Sequence, residues 1–155
     1  MTPKKSKNVD KIIKDSLDEL LSHLKVEGTI TLDKDNEDNY KVKIDTADSG
    51  LLIGYHGEVI NSLQLLLGII IYRKLGQWVR IIIDISDYRE KREETIKKMA
   101  ADLAEEAVTK GEPVSLPHLS PLERRIVHLS LADNPNVTSV SEGEGKDRHI
   151  VIKPK

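Results

Sequence analysis

The chain has 155 residues, of which 38% are hydrophobic and 32% charged, and this balance excludes a chain that is disordered throughout. A net charge of −2 excludes a protein that coats nucleic acid by bulk electrostatics, so any such binding must come from local sites. The absence of cysteine excludes disulfides and thiolate metal sites.

The N-terminus and the most apolar run predict where the protein is located. Residues 1–7 are rich in lysine and lead into no apolar stretch of the signal-peptide type. The most apolar run, residues 63–72, is shorter than the ~20 residues that a membrane-spanning helix needs. We therefore expect a soluble, cytoplasmic protein without membrane insertion, whose residues 1–8 form a flexible N-terminus.

The first half of the chain alternates helix and strand patterns. Apolar residues recur at helical spacing over residues 9–25, and two short strands follow at residues 29–32 and 40–44. The apolar run over residues 58–74 predicts a helix because strands usually stop at ~8 residues. Residues 78–85 are β-branched and alternate poorly, which predicts a central, buried strand.

The second half carries two helix start signals. Asp87 and Glu90 predict the start of a long helix that Gly111 ends. The segment Ser120-Pro121-Leu122-Glu123 combines an N-cap, a proline at the first helical position and an acid three residues on, and predicts a helix to about Ala132.

A final hairpin at residues 137–141 and 148–152 completes a fold of the α+β class. The predicted organisation is a flexible N-terminus at residues 1–8, a first domain at 9–86, a connecting helix at 87–111 and a second domain at 112–155.

The pattern Ile-Gly-x-x-Gly-x-x-Ile opens the apolar helix of the first domain. Gly54 and Gly57 let the backbone turn tightly and approach a ligand closely, and the N–H groups of the helix start favour a phosphate. From the motif alone, a plain glycine-rich turn between packed elements remains an equal alternative.

The element order over residues 9–85 resembles a K homology (KH) domain of the type with an extra helix and strand at its N-terminus. The resemblance implies that the glycine loop, residues 54–57, clamps the backbone of about four nucleotides. Tyr55 and His56 stand where Lys or Arg is usual in that family. A ring at Tyr55 can stack on a base or sugar, and an imidazole at His56 can add charge at lower pH. The segment before Gly54 leaves room for one turn of the first core helix.

Arg124 and His128 lie four residues apart on the second predicted helix, so their side chains share a face, which Arg125 flanks. A guanidinium beside an imidazole offers donors that fit a phosphate. An exposed arginine beside a buried histidine is the alternative interpretation of this spacing. We expect the other side of the helix to anchor it to the core through Leu122, Ile126 and Leu129.

With its flanking segments, the Arg124-x-x-x-His128 motif resembles a small single-strand-binding domain named for its Arg-three-His signature, over about residues 112–153. Arg148 extends its basic surface. A KH domain followed by this domain resembles the bacterial Jag family, also called KhpB or SpoIIIJ-associated proteins. That resemblance implies RNA binding, regulation of cell elongation or sporulation, and links to a small KH-domain partner and a membrane insertase.

These features predict a non-enzymatic protein that binds single-stranded RNA, or single-stranded DNA, and acts after transcription in cell elongation or envelope processes. A protein–protein adaptor that uses both folds as assembly surfaces is the alternative. The helix over residues 58–74 is apolar almost all round, so its second face needs a cover: the second domain, a homodimer or a small KH-domain protein. We predict no catalytic residue, metal site or cofactor. The predicted RNA-binding residues are Gly54, Tyr55, His56, Gly57, Arg124, Arg125, His128 and Arg148.

Overall fold

The computed structural model describes residues 3–35 and 39–155, without the side chains of residues 3–7. The chain folds into two compact units, Met1–Tyr88 and Arg89–Lys155. Both units combine helices with strands, which confirms the predicted α+β class. Residues 36–38, which lie between the first two predicted strands, and the first two residues of the chain lie outside the described residues.

The first unit has the element order expected from the sequence. Its elements are α1 (Pro3–His23), β1 (Thr29–Lys34), β2 (Tyr40–Asp45), α2 (Ser49–Ile53), α3 (Glu58–Leu75) and β3 (Ile81–Ile85). The short α2 confirms the one-turn helix predicted before Gly54. Residues 3–8 belong to α1, where the sequence predicted a flexible segment, because they contain no apolar residue from which a helical period can be recognised.

A three-stranded sheet lies under α1 and α3 in the order β1-β2-β3. The pair β1 and β2 is antiparallel and the pair β2 and β3 is parallel, with Val42 opposite Ile83. The prediction of a central strand at residues 78–85 is wrong, because β2 is central and β3 forms an edge. A continuous apolar run is compatible with either position, so its sequence cannot distinguish them.

The second unit contains α4 (Tyr88–Lys110), β4 (Val114–Ser115), α5 (Pro121–Leu131), β5 (Val137–Glu142) and β6 (His149–Pro154). Its antiparallel sheet has the order β4-β6-β5, and the pairing of β5 with β6 confirms the predicted hairpin. The sequence did not predict β4, because two residues are too few to show an alternation of apolar and polar side chains. The helix predicted as a connector supplies one side of this unit's core through Ile96, Ala100, Ala104 and Ala107.

A capping box starts α5, as the sequence predicts. The Ser120 hydroxyl accepts a hydrogen bond from the Glu123 N–H at 3.3 Å, and the Glu123 carboxylate accepts one from the Ser120 N–H at 2.7 Å. These two bonds satisfy donors that a helix start otherwise leaves open. They also fix the rotation of the first turn of α5.

The anchoring face of α5 differs from the predicted one. Leu122 and Leu129 are 64% and 67% exposed, whereas Val127 and Leu131 are buried beside Glu123. Of the three predicted anchors, only Ile126 packs against the core. The prediction failed because it placed the most apolar residues inside, while capping-box bonds and an arginine partner make burial of the Glu123 side possible.

Candidate nucleic-acid interface

Both glycines of the glycine loop have positive φ angles. Gly54 has φ +70° and ψ −173°, and Gly57 has φ +83° and ψ +15°. A Cβ atom on Gly54 would collide with the side chain of Val59, and one on Gly57 would lie 3.1 Å from the Tyr88 ring. The loop therefore needs glycine at both positions for conformation, and at Gly54 for space as well.

Tyr55 and His56 form a stacked pair inside this loop. Their ring centroids are 4.0 Å apart and their planes differ by 11°. Tyr55 is 68% exposed, and His56 has φ +50° and ψ +27°. The loop thus presents aromatic surface and carries no lysine or arginine.

The first turn of α3 follows the loop directly. Gly57 occupies the N-cap position in the left-handed conformation, so no side-chain oxygen is available there to cap the helix. The Glu58 N–H binds the Tyr55 carbonyl, which closes the loop onto the helix. The chain direction also points the positive end of the α3 dipole at the glycine loop.

A groove runs between α3 and the segment before β3. Asn61, Gln64, Leu65 and Gly68 line it from the helix, and residues 78–81 line it from the other side. Trp78 is exposed and stacks on Tyr72, with ring centroids 4.7 Å apart. Asn61 is three residues, or ~4.5 Å along the helix, from Glu58, so the groove begins near the glycine loop. We call it the α3 groove.

The sequence interpretation missed the α3 groove. Asn61 and Gln64 are polar residues three positions apart in a mostly apolar helix, which is the signal that would have indicated a solvated groove. Gln64 also has a structural role, since its side-chain oxygen accepts a hydrogen bond from the Ile83 N–H at 3.0 Å. Arg80 places a guanidinium on the opposite side.

In the second unit, the face of α5 with Arg124 and His128 meets β5. His128 Nδ1 lies 2.8 Å from the Ser139 hydroxyl, and Arg148 Nε donates to the Ser141 hydroxyl at 2.9 Å. Arg124 Nη1 donates to the Arg148 carbonyl at 3.4 Å. These five residues form what we call the α5–β5 cluster.

The α5–β5 cluster gathers three of the predicted site residues and adds two serines. Arg124 Nη1 also donates to the Leu119 carbonyl at 2.8 Å, so its guanidinium fixes the chain before α5. The partly buried Arg124 and the exposed Arg148 keep further N–H donors for a phosphate. Arg125 is exposed on the same helix.

An ion pair behind the α5–β5 cluster holds α5 to α4. Arg92 Nε lies 2.7 Å from the buried Glu123 carboxylate. Burial raises the pKa of Glu123, but the Ser120 backbone hydrogen bond and the Arg92 guanidinium outweigh it, so the pKa lies below its usual value of 4.5. Glu123 is therefore ionised at neutral pH, and the ion pair fixes the helix that carries Arg124 and His128.

The described part of the chain shows neither a metal-binding cluster nor a membrane-spanning helix. Among residues 3–35 and 39–155, no three histidine or acidic side chains are grouped so that they could hold a metal ion. In the same residues, no helix has the length and apolar character that crossing a membrane requires.

Comparison with known families finds two matches. Residues 10–83 match the KH domain of KhpA and KhpB, and residues 94–154 match the Arg-three-His domain. These matches confirm the two resemblances that the sequence motifs indicated. The second match includes most of α4, in agreement with the place of that helix in the core of the second unit.

Several curated proteins are similar to this chain, each named RNA-binding protein KhpB. The protein of Lactiplantibacillus plantarum is 38% identical over 87% of this chain and 42% of its own length. That of Clostridium symbiosum is 33% identical over 78% of this chain and 54% of its length. That of Streptococcus pneumoniae is 32% identical over 86% and 40%. The chain thus spans about half the length of these relatives.

Proposed function

Since this chain belongs to the KhpB family through its KH and Arg-three-His domains, we propose that it binds single-stranded RNA at two non-catalytic sites. The first site consists of the glycine loop and the α3 groove, and the second is the α5–β5 cluster. The observation that carries the proposal is the glycine loop itself. Two positive-φ glycines form a tight turn at the start of a helix whose side continues as a groove.

In the first site, backbone N–H groups at the start of α3 hold phosphates, and the bases that follow enter the α3 groove. Asn61 and Gln64 offer amide groups to base edges, and Trp78 offers a ring. A single strand fits this site better than a duplex, because only unpaired bases can be turned out of the stack into a groove.

In the second site, Arg124 and Arg148 hold the backbone of the strand. Their free guanidinium N–H groups and the Ser139 and Ser141 hydroxyls are donors of the kind that positions phosphates without reading sequence. His128, set against Ser139, and the exposed Arg125 complete the set predicted from the sequence. In this proposal no residue of the site acts as an acid, a base or a nucleophile, so we propose a binding protein and not an enzyme.

We further propose, from what the family resemblance implies, that the protein acts in the cytoplasm on RNA after transcription, in processes of cell elongation or of the envelope. The alternative ligand is single-stranded DNA. Parallel titrations with RNA and DNA strands of the same sequence decide between them.

The loop part of the proposal is tested by adding negative charge. In the double variant Tyr55→Asp, His56→Asp, two carboxylates stand where the phosphates bind, so we expect RNA affinity to fall at least tenfold at 0.1 M salt. The melting temperature should stay unchanged, since aspartate tolerates the left-handed conformation of His56. Fluorescence anisotropy with a labelled single-stranded RNA measures the affinity.

A matched variant separates local from general repulsion. Ser22→Asp, Leu24→Asp adds the same two charges to exposed positions at the end of α1. We expect it to bind within about twofold of the wild-type chain, because charges beyond about 10 Å are screened at 0.1 M salt. Equal affinities of the two double variants would contradict a role for the glycine loop.

A second candidate function, assembly with a protein partner, is favoured by the exposed face of α3. Leu65, Leu66 and Ile69 are exposed side by side on this helix, and we call them the α3 apolar face. We propose that a second copy or a small KH-domain protein covers it, as the adaptor alternative requires.

Sedimentation of the purified chain tests the self-association form of that proposal. A dimer should convert to a monomer in the variant Leu66→Glu, which places a charge on the α3 apolar face, while Leu24→Glu should leave it dimeric. A wild-type chain that stays monomeric at high concentration would exclude the second copy. Co-purification with the small KH-domain protein then tests the other partner.

A further inference from the structure

The stacked rings of the glycine loop are neighbours in sequence, which is an unusual arrangement. Side chains at positions i and i+1 point to opposite faces of a strand and do not face each other on a helix. Tyr55 and His56 nevertheless lie with their rings 4.0 Å apart and nearly parallel. The left-handed backbone of His56 distinguishes this segment from a regular element and accompanies the stacked arrangement.

This arrangement has an energetic cost. A residue other than glycine in the left-handed region is strained, and strain of this kind is found at ligand-binding segments. Aromatic residues are also scarce, at 3% of the chain. A scarce residue type that stacks on a strained neighbour and is exposed on a loop therefore points to a ligand contact.

The charge of the loop restricts what this ligand contact can be. Residues 54–57 contain no lysine or arginine, and Glu58 follows them. The side chains of the loop therefore offer no lysine or arginine charge to a phosphate. An aromatic face instead stacks on an unpaired base of any sequence, and Tyr55 has its exposed surface available for that contact.

We propose that the Tyr55–His56 pair is a stacking platform for one unpaired nucleobase, with the base on Tyr55 and His56 supporting that ring from behind. The inference rests on the proposed RNA binding and adds the part of the nucleotide that the loop recognises. Backbone N–H groups near the glycines hold the phosphates, and the platform fixes the base that follows or precedes them. Affinity at this loop then depends on a ring and not on a positive charge.

The test compares Tyr55→Leu, which removes the ring and keeps an apolar side chain, with Tyr55→Phe, which keeps the ring and removes the hydroxyl. The probe is a labelled oligoadenylate, titrated into the full chain at several salt concentrations. Tyr55→Leu should weaken binding about 5- to 150-fold, which corresponds to the ~1–3 kcal/mol of one base–aromatic stack. Tyr55→Phe should bind within about twofold of the wild type, and the salt slope should not change, because no phosphate contact is lost.

An abasic strand of the same length separates base stacking from other losses. Wild type and Tyr55→Leu should bind it with equal affinity, since it has no base to stack. The inference is overturned if Tyr55→Leu binds oligoadenylate like the wild type, if Tyr55→Phe loses as much as Tyr55→Leu, or if the loss persists on the abasic strand. If the wild-type chain binds no single strand at all, the proposed function fails together with the platform.

Discussion

At the scale of single residues, two glycines with nearly the same φ lie in different surroundings. Gly54 has φ +70° with ψ near 180°, a conformation essentially restricted to glycine, and a side chain there would meet Val59. Gly76 has φ +71° and ψ +9°, and a side chain there would meet nothing within 4 Å. The pair separates the cost of backbone conformation from the cost of close packing.

This difference predicts unequal effects of the same substitution. Gly76→Ala should lower the free energy of unfolding by roughly 1 kcal/mol, and Gly54→Ala by clearly more, about 2–4 kcal/mol, because conformation and collision add. Urea unfolding followed by the fluorescence of Trp78, which lies in the first unit, measures both. Equal losses would mean that Val59 moves aside at no cost and that the loop does not need its close approach.

At the scale of elements, the orientation of α5 depends on one buried acid. Glu123 is held by the Ser120 N–H and by Arg92, and its position places Val127 and Leu131 in the core. That rotation turns the Arg124 and His128 side toward β5. The geometry of the α5–β5 cluster therefore follows from the capping box and the ion pair.

We expect Glu123→Gln to lower the stability of the second unit by roughly 1–3 kcal/mol at neutral pH, since the amide keeps the cap but loses the charged bond to Arg92. Because the folded pKa of Glu123 lies below 4.5, its contribution is present above that pH and is lost as pH falls through the folded pKa. The wild type and the variant should therefore become similar in strong acid. Urea unfolding followed by NMR signals of the second unit measures the difference at each pH.

The exposed pair of Glu106 and Lys110 supplies the comparison for that experiment. The two residues lie four apart on α4 and are exposed, so Glu106→Gln should lower stability far less than Glu123→Gln. A loss for Glu123→Gln no larger than this, or one that stays constant into acid, would contradict the structural role of the ion pair.

Sequence patterns predicted the elements better than the faces they bury. Residues 58–74 were correctly predicted as a helix, and Ser120 and Glu123 as the start signal of α5, because length and capping are local properties. Leu122 and Leu129 were misplaced, because the rotation of α5 depends on Arg92, which is distant in sequence. The edge position of β3 is also set by pairing that no local pattern contains.

The candidate site shows the same division. Gly54 and Gly57 were predicted from spacing, and both have the positive φ that the pattern implies. The contact of His128 with Ser139 was not predicted, because it joins α5 to β5 and no local pattern shows which strand a helix packs against. The stacking of Tyr55 on His56 accompanies a left-handed backbone at His56, and neither residue type predicts that conformation.

At the scale of the whole molecule, we propose two binding sites of modest strength on one chain. The glycine loop lacks lysine and arginine, and the α5–β5 cluster offers few free donors beyond its internal hydrogen bonds. When one strand reaches both sites, the second contact becomes intramolecular and can raise avidity by ~10²–10⁴. The arrangement favours long single strands over short ones.

The most direct measurement is the affinity of the full chain for single-stranded RNA of increasing length, for the wild type, for Tyr55→Asp, His56→Asp and for Arg124→Ala. Arg124→Lys, which retains the charge, accompanies the alanine variant, and circular dichroism verifies that each variant is folded. We predict that affinity rises steeply above a threshold length in the wild type and that either variant removes the rise while short strands still bind weakly. Loss of Arg124 should also reduce the salt slope by about one. A long strand that binds the wild type no more tightly than a short one, or that binds either variant as tightly as the wild type, would contradict two-site binding.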